Sequence, residues 1–185
     1  MKEQFSIGGK TIQVTDDTTR SFEGDIVITD PCYFISDSIW QKLCEIWFNE
    51  DGTASPYAEA GTIYIDGKPI LYSSTAHGDG AYRVTGVPRV KHPEFGVDSG
   101  TMAIVSLEDF EALTNDKIQP GLHALVLDFD GNVCADEEGN FVGDLEVNTS
   151  AWGEDEDTYD DNEDDTWEED NKSWNSYGDD EDDDY

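Results

Sequence analysis

The chain has 185 residues, of which 44 are acidic and only 10 are Lys or Arg, so its formal net charge at pH 7 is −34. Such a chain repels phosphate, which argues against direct binding to nucleic acid or to a membrane surface and favours a basic protein partner. No apolar run approaches the roughly 20 residues that cross a bilayer. The three cysteines are an odd number, and no apolar leader precedes them. We therefore expect a protein of the cytoplasm.

The charge is divided between two parts of the chain. From Gly153 to Tyr185 there are 18 acidic residues and one basic residue, Lys172, so this stretch carries about half of the net charge. Like charges at this density repel one another and bury little apolar surface. The sequence predicts a β-rich globular domain over residues 1–150 and a disordered acidic tail over residues 151–185.

The first half of the domain predicts two hairpins with a strand between them. Apolar and polar residues alternate on both sides of Gly8-Gly9 and again on both sides of Asp66-Gly67, which are pairs that two-residue turns prefer. Between these hairpins we expect a loop over residues 16–21 and a short buried strand over residues 26–28. Pro31 ends that strand because it cannot donate to a ladder.

A helix is predicted to follow that strand, because large apolar residues recur at spacings of three and four and so share one face. These residues are Ile39, Trp40, Leu43, Ile46 and Trp47. Ser36, Asp37 and Ser38 all offer N-cap oxygens, and Ser38 lies three residues before Gln41, the spacing of a capping box. We expect the apolar face to cover a sheet.

The next part of the chain alternates short strands with a loop and a helix. The patterns predict strands over residues 81–85 and 102–105, with an exposed basic loop over residues 87–95. A brief helix is expected to begin at Ser106 and to extend through Leu113. Ser106, together with Asp109, caps its start.

Two further strands complete the domain. One is predicted over residues 122–129 and turns at Asp130-Gly131 into residues 133–135, and the last covers residues 141–147. Strands in hairpin order with two interspersed helices predict an α+β fold. Its sheet is expected to be mostly antiparallel and curved or barrel-like.

Polar, turn-rich breaks end several of these strands, and their side chains can converge on one rim of a sheet. The candidate ligand-binding residues are Asp30, Tyr33, His77, Asp79, Tyr82, Asp98 and Ser99. Cys32, His77 and Asp98 are the residue types of a thiol hydrolase, and His77, Asp79 and Asp98 those of a metal site, but neither set has a diagnostic spacing. The aspartates are also ordinary turn residues. The sequence therefore predicts no catalytic residue, no metal and no cofactor.

The order of these motifs resembles a known family. Asp30-Pro31 is followed by Gly80-x-Tyr82-x-Val84 and then by Gly-Val-Asp-Ser-Gly-Thr at residues 96–101. This order resembles domain-of-unknown-function family 4241 of bacteria and phages, over residues 25–105. The resemblance implies a bacterial or phage origin but no particular activity.

A second motif lies in the segment ALVLDFDGNV, residues 124–133. It looks like the first motif of the haloacid dehalogenase-like phosphatases, which would make Asp128 the nucleophile and Asp130 the general acid. That motif normally opens a Rossmann-like domain much longer than the foldable chain that follows here. The context therefore favours a plain Asp-Gly hairpin.

Aromatic residues interrupt the acidic tail, mostly at intervals of seven or eight residues. They are Trp152, Tyr159, Trp167, Trp174, Tyr177 and Tyr185. Carboxylate clusters between aromatic rings match a basic groove that accepts phosphates and stacks bases. The terminal Asp-Asp-Asp-Tyr also resembles the acidic tails of single-stranded DNA-binding proteins. The alternative is a solubilising tail that folds back on Arg89 and Lys91, so that these cations shield its charge.

These observations predict a non-enzymatic, cytoplasmic interaction protein of a phage or a bacterium, which acts in the host cytoplasm if a phage encodes it. It would mimic DNA and inhibit a basic host or defence protein, such as a nucleic-acid enzyme. Two other hypotheses stay open. One is a domain that binds or sequesters a small ligand or nucleotide, or hydrolyses it weakly with a metal, and the other is a structural protein of the virion. The sequence makes no prediction of the oligomeric state.

Overall fold

The computed structural model describes residues 2–48, 53–87, 93–114 and 123–150. Its strands are β1 (Lys2–Ile7), β2 (Lys10–Thr15), β3 (Thr19–Thr29), β4 (Ala60–Ile65), β5 (Lys68–Ser74), β6 (Gly80–Thr85), β7 (Glu94–Val97), β8 (Thr101–Ser106), β9 (Ala124–Ala135), β10 (Phe141–Gly143) and β11 (Glu146–Val147). Its helices are α1 (Asp37–Trp47) and α2 (Leu107–Leu113).

The strands form one sheet in the order β1-β2-β4-β5-β8-β3-β9-β10-β11-β6-β7. All the strand pairs described are antiparallel. One end of the sheet curls back, so that β7 lies close to β3 and β9. The predicted α+β class with a curved antiparallel sheet is confirmed.

Both predicted hairpins in the first half of the domain are present. β1 and β2 meet at Gly8-Gly9, and β4 and β5 meet at Asp66-Gly67. All four turn residues have a positive φ, between 52° and 82°. Two-residue turns of this mirror-image kind need that backbone, which Gly and Asp adopt at low cost.

The longest ladder joins β3 to β9 and corrects two predictions. It pairs all eleven residues of β3, from Thr19 opposite Cys134 to Thr29 opposite Ala124. The loop predicted over residues 16–21 is therefore partly wrong, because β3 already begins at Thr19. The hairpin predicted at Asp130-Gly131 is also wrong, because β9 runs straight through this pair.

Gly131 has a packing role in place of the predicted turn. A Cβ atom at this position would lie 2.8 Å from the Cβ of Asp144, closer than folded proteins allow. The Asp144 carboxylate uses this space to accept a hydrogen bond from the Asn132 N–H at 2.8 Å. A full-length partner strand thus overrides the local turn preference of Asp-Gly.

Helix α1 has the predicted face. Ile39, Leu43 and Trp47 are buried, which confirms the periodicity. Of the three N-cap candidates the N-cap residue is Ser36, and the capping box at Ser38 is wrong because Ser38 lies in the first turn of the helix.

Helix α2 begins as predicted. The Ser106 Oγ atom accepts a hydrogen bond from the Asp109 N–H at 3.2 Å, and the helix ends at Leu113.

Two predictions for the second half are also corrected. The single strand expected over residues 141–147 is two strands, β10 and β11, because the Asp144 N–H bonds to the Asn132 carbonyl at 3.0 Å and turns the chain between them. Of the basic loop expected over residues 87–95, residues 88–92 lie outside the described part. Phe95 belongs to β7 and is buried, so it is not part of an exposed loop.

Each face of the sheet covers its own apolar cluster. One cluster lies inside the curl and is built from sheet residues such as Ile26, Leu127 and Phe141. The other lies between the sheet and the helices and includes Val27 and Leu43. Strand β3 lies between the two clusters and contributes to both. No helix in the described ranges is long and apolar enough to cross a membrane.

Candidate functional site

Asp30 holds together the rim that the sequence motifs indicated. It follows β3 directly and is fully buried. One carboxylate oxygen accepts the Cys32 N–H at 2.8 Å and the Ser99 hydroxyl at 2.7 Å. The other accepts the backbone N–H groups of Asp98 at 2.8 Å and Ser99 at 2.6 Å. Four donors leave little acceptor capacity for a ligand, so Asp30 is a structural clip between β3 and the turn that joins β7 to β8.

Two turns of the rim are attached to each other. The Thr75 N–H, in the turn between β5 and β6, donates to the Gly100 carbonyl at 2.8 Å. In the same turn Gly78 accepts a hydrogen bond from the Tyr82 hydroxyl at 2.8 Å. A Cβ atom on Gly100 would lie 3.4 Å from the Gly78 Cα, so these two turns pack backbone against backbone. Tyr82 is buried and serves this packing.

The Tyr33 side chain lies beside those of Asp98 and His123. The Tyr33 ring packs at a tilt against the His123 ring, with 4.8 Å between their centroids. The Tyr33 hydroxyl oxygen is buried, and the Asp98 side chain lies near it. Burial, and then the nearby Asp98 carboxylate, raise the pKa of this hydroxyl. His123 was missed in the sequence because it lies far along the chain from the motifs.

Cys32 does not have the properties of a nucleophile. Burial is the main cause that raises the pKa of its thiol, and the Asp30 and Asp98 carboxylates raise it further. A reactive cysteine needs the opposite surroundings, because positive charge is what stabilises a thiolate. The arrangement at Cys32 therefore gives no support to a thiol hydrolase.

These raised pKa values predict a loss of stability in alkali. The pKa values of Cys32, Tyr33 and Tyr72 all lie above their ordinary values, which are 9.0 for the thiol and 10.0 for the phenols. Above those values the unfolded chain loses protons that the folded protein keeps, so stability falls as the pH rises. We expect the midpoint of urea unfolding to be level from about pH 7 to 8.5 and to fall above about pH 9.

The double variant Cys32→Ser/Cys44→Ser isolates the first part of that change, because burial raises the pKa of the Cys44 thiol as well. It lacks both of these thiols, so its stability should begin to fall closer to pH 10, where the tyrosines start to contribute. A wild-type midpoint that stays level up to about pH 11 would contradict the prediction.

The other two rim candidates, His77 and Asp79, are exposed and lie in the turn between β5 and β6. A His77 ring nitrogen lies 3.4 Å from the Ser150 carbonyl oxygen, which places this ring beside the end of the described chain. The structure thus places Asp30, Tyr33, Asp98 and Ser99 together, with the turn that holds His77 and Asp79 next to them.

Thr149 anchors the last residues that the structure describes. It is fully buried. Its hydroxyl donates to the Gly139 carbonyl at 2.6 Å and accepts the Ala76 N–H at 2.8 Å, while its own N–H donates to the Asn140 side chain at 2.9 Å. Residues 151–185, with the aromatic residues singled out above, lie outside the described part. Neither Thr149 nor Asn140 belongs to a recognisable motif.

The domain also carries a row of exposed carboxylates that the sequence analysis did not assemble. In the β3–β9 ladder, Glu23 lies opposite Asp130 and Asp25 lies opposite Asp128. All four residues are exposed. Like charges directly opposite each other destabilise a sheet. We call these four residues the acidic ladder.

Metal-assisted chemistry has no preassembled site in this part of the chain. Within residues 2–48, 53–87, 93–114 and 123–150, no group of three or more His, Cys, Asp or Glu side chains is arranged to hold a metal ion. Asp128 and Asp130, which the phosphatase motif would have used, belong to the acidic ladder.

No family model matches the chain, and neither a curated protein nor a solved structure does. The resemblance to family 4241 stays a prediction.

Proposed function

We propose that this chain is a non-enzymatic interaction protein that occupies the basic, nucleic-acid-binding surface of another protein. The observation that carries the proposal is the acidic ladder, in which Glu23 and Asp25 lie opposite Asp130 and Asp128. These like-charge pairs lower the stability of the fold. A role in binding the cationic surface of a partner protein accounts for their presence.

The charge density of the acidic ladder is close to that of one DNA strand. Residues on one face of a strand are about 6.7 Å apart, and the two rows lie directly opposite each other, so the ladder supplies two carboxylates per about 6.7 Å of its length. One strand of DNA carries on average one charge per about 3.4 Å of helix axis. The ladder is short, and it lies on two strands that are paired along their whole length, so the backbone holds its four carboxylates in place.

The acidic tail extends the same chemistry. With 18 acidic residues between Gly153 and Tyr185 and aromatic rings between them, it offers both features that a groove for single-stranded nucleic acid recognises. A phage-encoded inhibitor of a host or defence nucleic-acid enzyme is the concrete form of the proposal.

A two-step experiment tests this function. The full chain is first immobilised and used to capture proteins from a bacterial lysate at low and high salt, and the captured proteins are identified by mass spectrometry. Each captured DNA-binding protein is then purified, and its complex with DNA is titrated with the free chain in a gel-shift assay. We expect the chain to displace the DNA and the displacement to weaken with salt, because both ligands use charge.

A second version of the chain distinguishes the contribution of the tail aromatics from that of the domain. In it the six tail aromatics are replaced by Ala at unchanged length and charge. We expect weaker displacement from a protein that stacks bases and unchanged displacement from one that contacts only phosphates. If the captured proteins bind no nucleic acid, or if the free chain never displaces DNA from them, the proposal is wrong.

A further inference from the structure

A small cleft opens where β3 loses one of its neighbours. The ladder between β3 and β8 ends at the pair Ile26 and Ser106, because Ser106 caps helix α2 and the chain turns away. Beyond this pair the structure contains a cleft of about 140 Å³. Its walls are formed by Arg20, Ser21, Phe22, Glu23, Ile26, Pro69, Ser106 and Asp109.

Arg20 is the unusual side chain of this cleft. Its guanidinium lies over the Tyr64 ring, 5.7 Å from the centroid, and its Nη1 donates to the Tyr64 hydroxyl at 3.3 Å. The Nε atom is buried and has no hydrogen-bond partner in the described part of the chain. Arg20 also forms no ion pair there, although Lys42, Lys68 and Arg83 each pair with an acidic residue.

A buried guanidinium nitrogen without an acceptor is unfavourable, and in so acidic a protein an acidic partner would be easy to supply. The guanidinium is planar and presents its N–H donors as a fork that fits a carboxylate or a phosphate in a bidentate manner. Tyr64 holds one end of this fork, which pre-organises the group for an anion.

The rest of the cleft distinguishes between these two anions. Glu23 and Asp109 contribute to its walls, so a doubly charged phosphate meets more repulsion than a singly charged carboxylate. Lys68 already neutralises Asp109 at 3.0 Å, which leaves Glu23 as the main opposing charge. Phe22 and Pro69 provide apolar surface for the hydrocarbon part of an organic acid.

We propose that this cleft binds a small organic monocarboxylate, with the Arg20 guanidinium as its anchor. The proposal does not rest on the acidic ladder's proposed role, although Glu23 belongs to both, because the cleft needs the cation that the ladder lacks.

Nuclear magnetic resonance tests the proposal directly. Acetate is titrated into the ¹⁵N-labelled full chain at constant ionic strength, and the Arg20 Nε–Hε signal is followed together with the amide signals of Ser21, Phe22 and Asp109. We expect saturable shifts of these signals. Acetamide, which has the same shape without the charge, should cause none, and inorganic phosphate at pH 7.5 should bind more weakly than acetate.

Three variants provide the controls. Arg20→Gln should weaken acetate binding at least about tenfold, and Arg20→Lys should weaken it nearly as much because Lys lacks the fork. Arg83→Gln removes an exposed cation that pairs with Glu94 and should leave binding unchanged. Amide signals away from the cleft that match those of the wild type show that each variant is folded.

Three results would overturn the assignment. One is the absence of a saturable shift, and another is an equal shift in Arg20→Gln. The third is tighter binding of phosphate than of acetate.

Discussion

Replacing Asp30 by Asn is expected to lower the free energy of unfolding by about 3 kcal/mol. The change keeps the size of the side chain but turns one oxygen into an amide nitrogen. That nitrogen would face two of the donors that the carboxylate now accepts, from Cys32, Asp98 and Ser99. Because the site is fully buried, water cannot replace the lost acceptor.

Urea unfolding followed by tryptophan fluorescence measures this effect, and thermal unfolding should show a midpoint lower by about 6 to 12 °C. Asp98→Asn is the matched control, because Asp98 joins the clip through its backbone N–H and its side chain is exposed. Its effect should stay within about 0.5 kcal/mol. Equal effects of the two substitutions would show that Asp30 is not the clip that we describe.

Replacing Thr149 by Val is expected to cost about 2 to 3 kcal/mol. The two side chains have nearly the same shape, so the substitution removes the hydroxyl and little else. The Gly139 carbonyl then loses its donor at a buried position, and the Ala76 N–H, which belongs to an exposed residue, loses its acceptor.

Thr149→Ser is the control, since it keeps the hydroxyl and loses only a methyl group, at a cost of about 1 kcal/mol. Hydrogen exchange supplies a local measurement, because the Ala76 amide should exchange faster in Thr149→Val than in Thr149→Ser. If the two variants have the same stability and the same Ala76 exchange, the hydroxyl does not anchor the end of the domain.

Local signals in the sequence predicted the local structure well. The turns at Gly8-Gly9 and Asp66-Gly67 depend on two residues each, and the apolar face of α1 depends on one helical period. Such features require no knowledge of distant parts of the chain. The capping box at Ser38 failed because the helix begins at Asp37 with Ser36 as its N-cap residue, although the Ser36 side chain makes no capping hydrogen bond.

Long-range pairing was harder to predict from sequence. Asp130-Gly131 has the composition of a turn, yet it lies in the middle of β9 because β3 offers a partner along its whole length. The acidic ladder could not be assembled for the same reason. Glu23 and Asp130 become neighbours only through the register of two strands that are far apart in the chain.

The candidate site was partly visible in the sequence. The motifs pointed to Asp30, Asp98 and Ser99 as one rim, and these residues are in direct contact. Their chemistry was less visible, because the same carboxylate could bind a ligand or hold a turn. Only the four donors around Asp30 distinguish these roles. His123 and Thr149 join the rim through tertiary packing and have no signature of their own.

The central claim is that the acidic ladder is a binding surface, and one measurement tests it most directly. The gel-shift displacement of a captured DNA-binding protein is compared between two full-length variants that have each lost four negative charges. The first variant is neutralised at Glu23, Asp25, Asp128 and Asp130, and the second is neutralised at Glu3, Glu111, Glu137 and Glu138, which are exposed elsewhere on the domain.

The first variant should be at least as stable as the wild type, because it removes like-charge pairs, so unfolding cannot explain a loss of binding. We predict that it needs about tenfold more protein to displace DNA, whereas the second variant behaves like the wild type. Equal displacement by both variants would contradict the claim, since only the total charge would then matter.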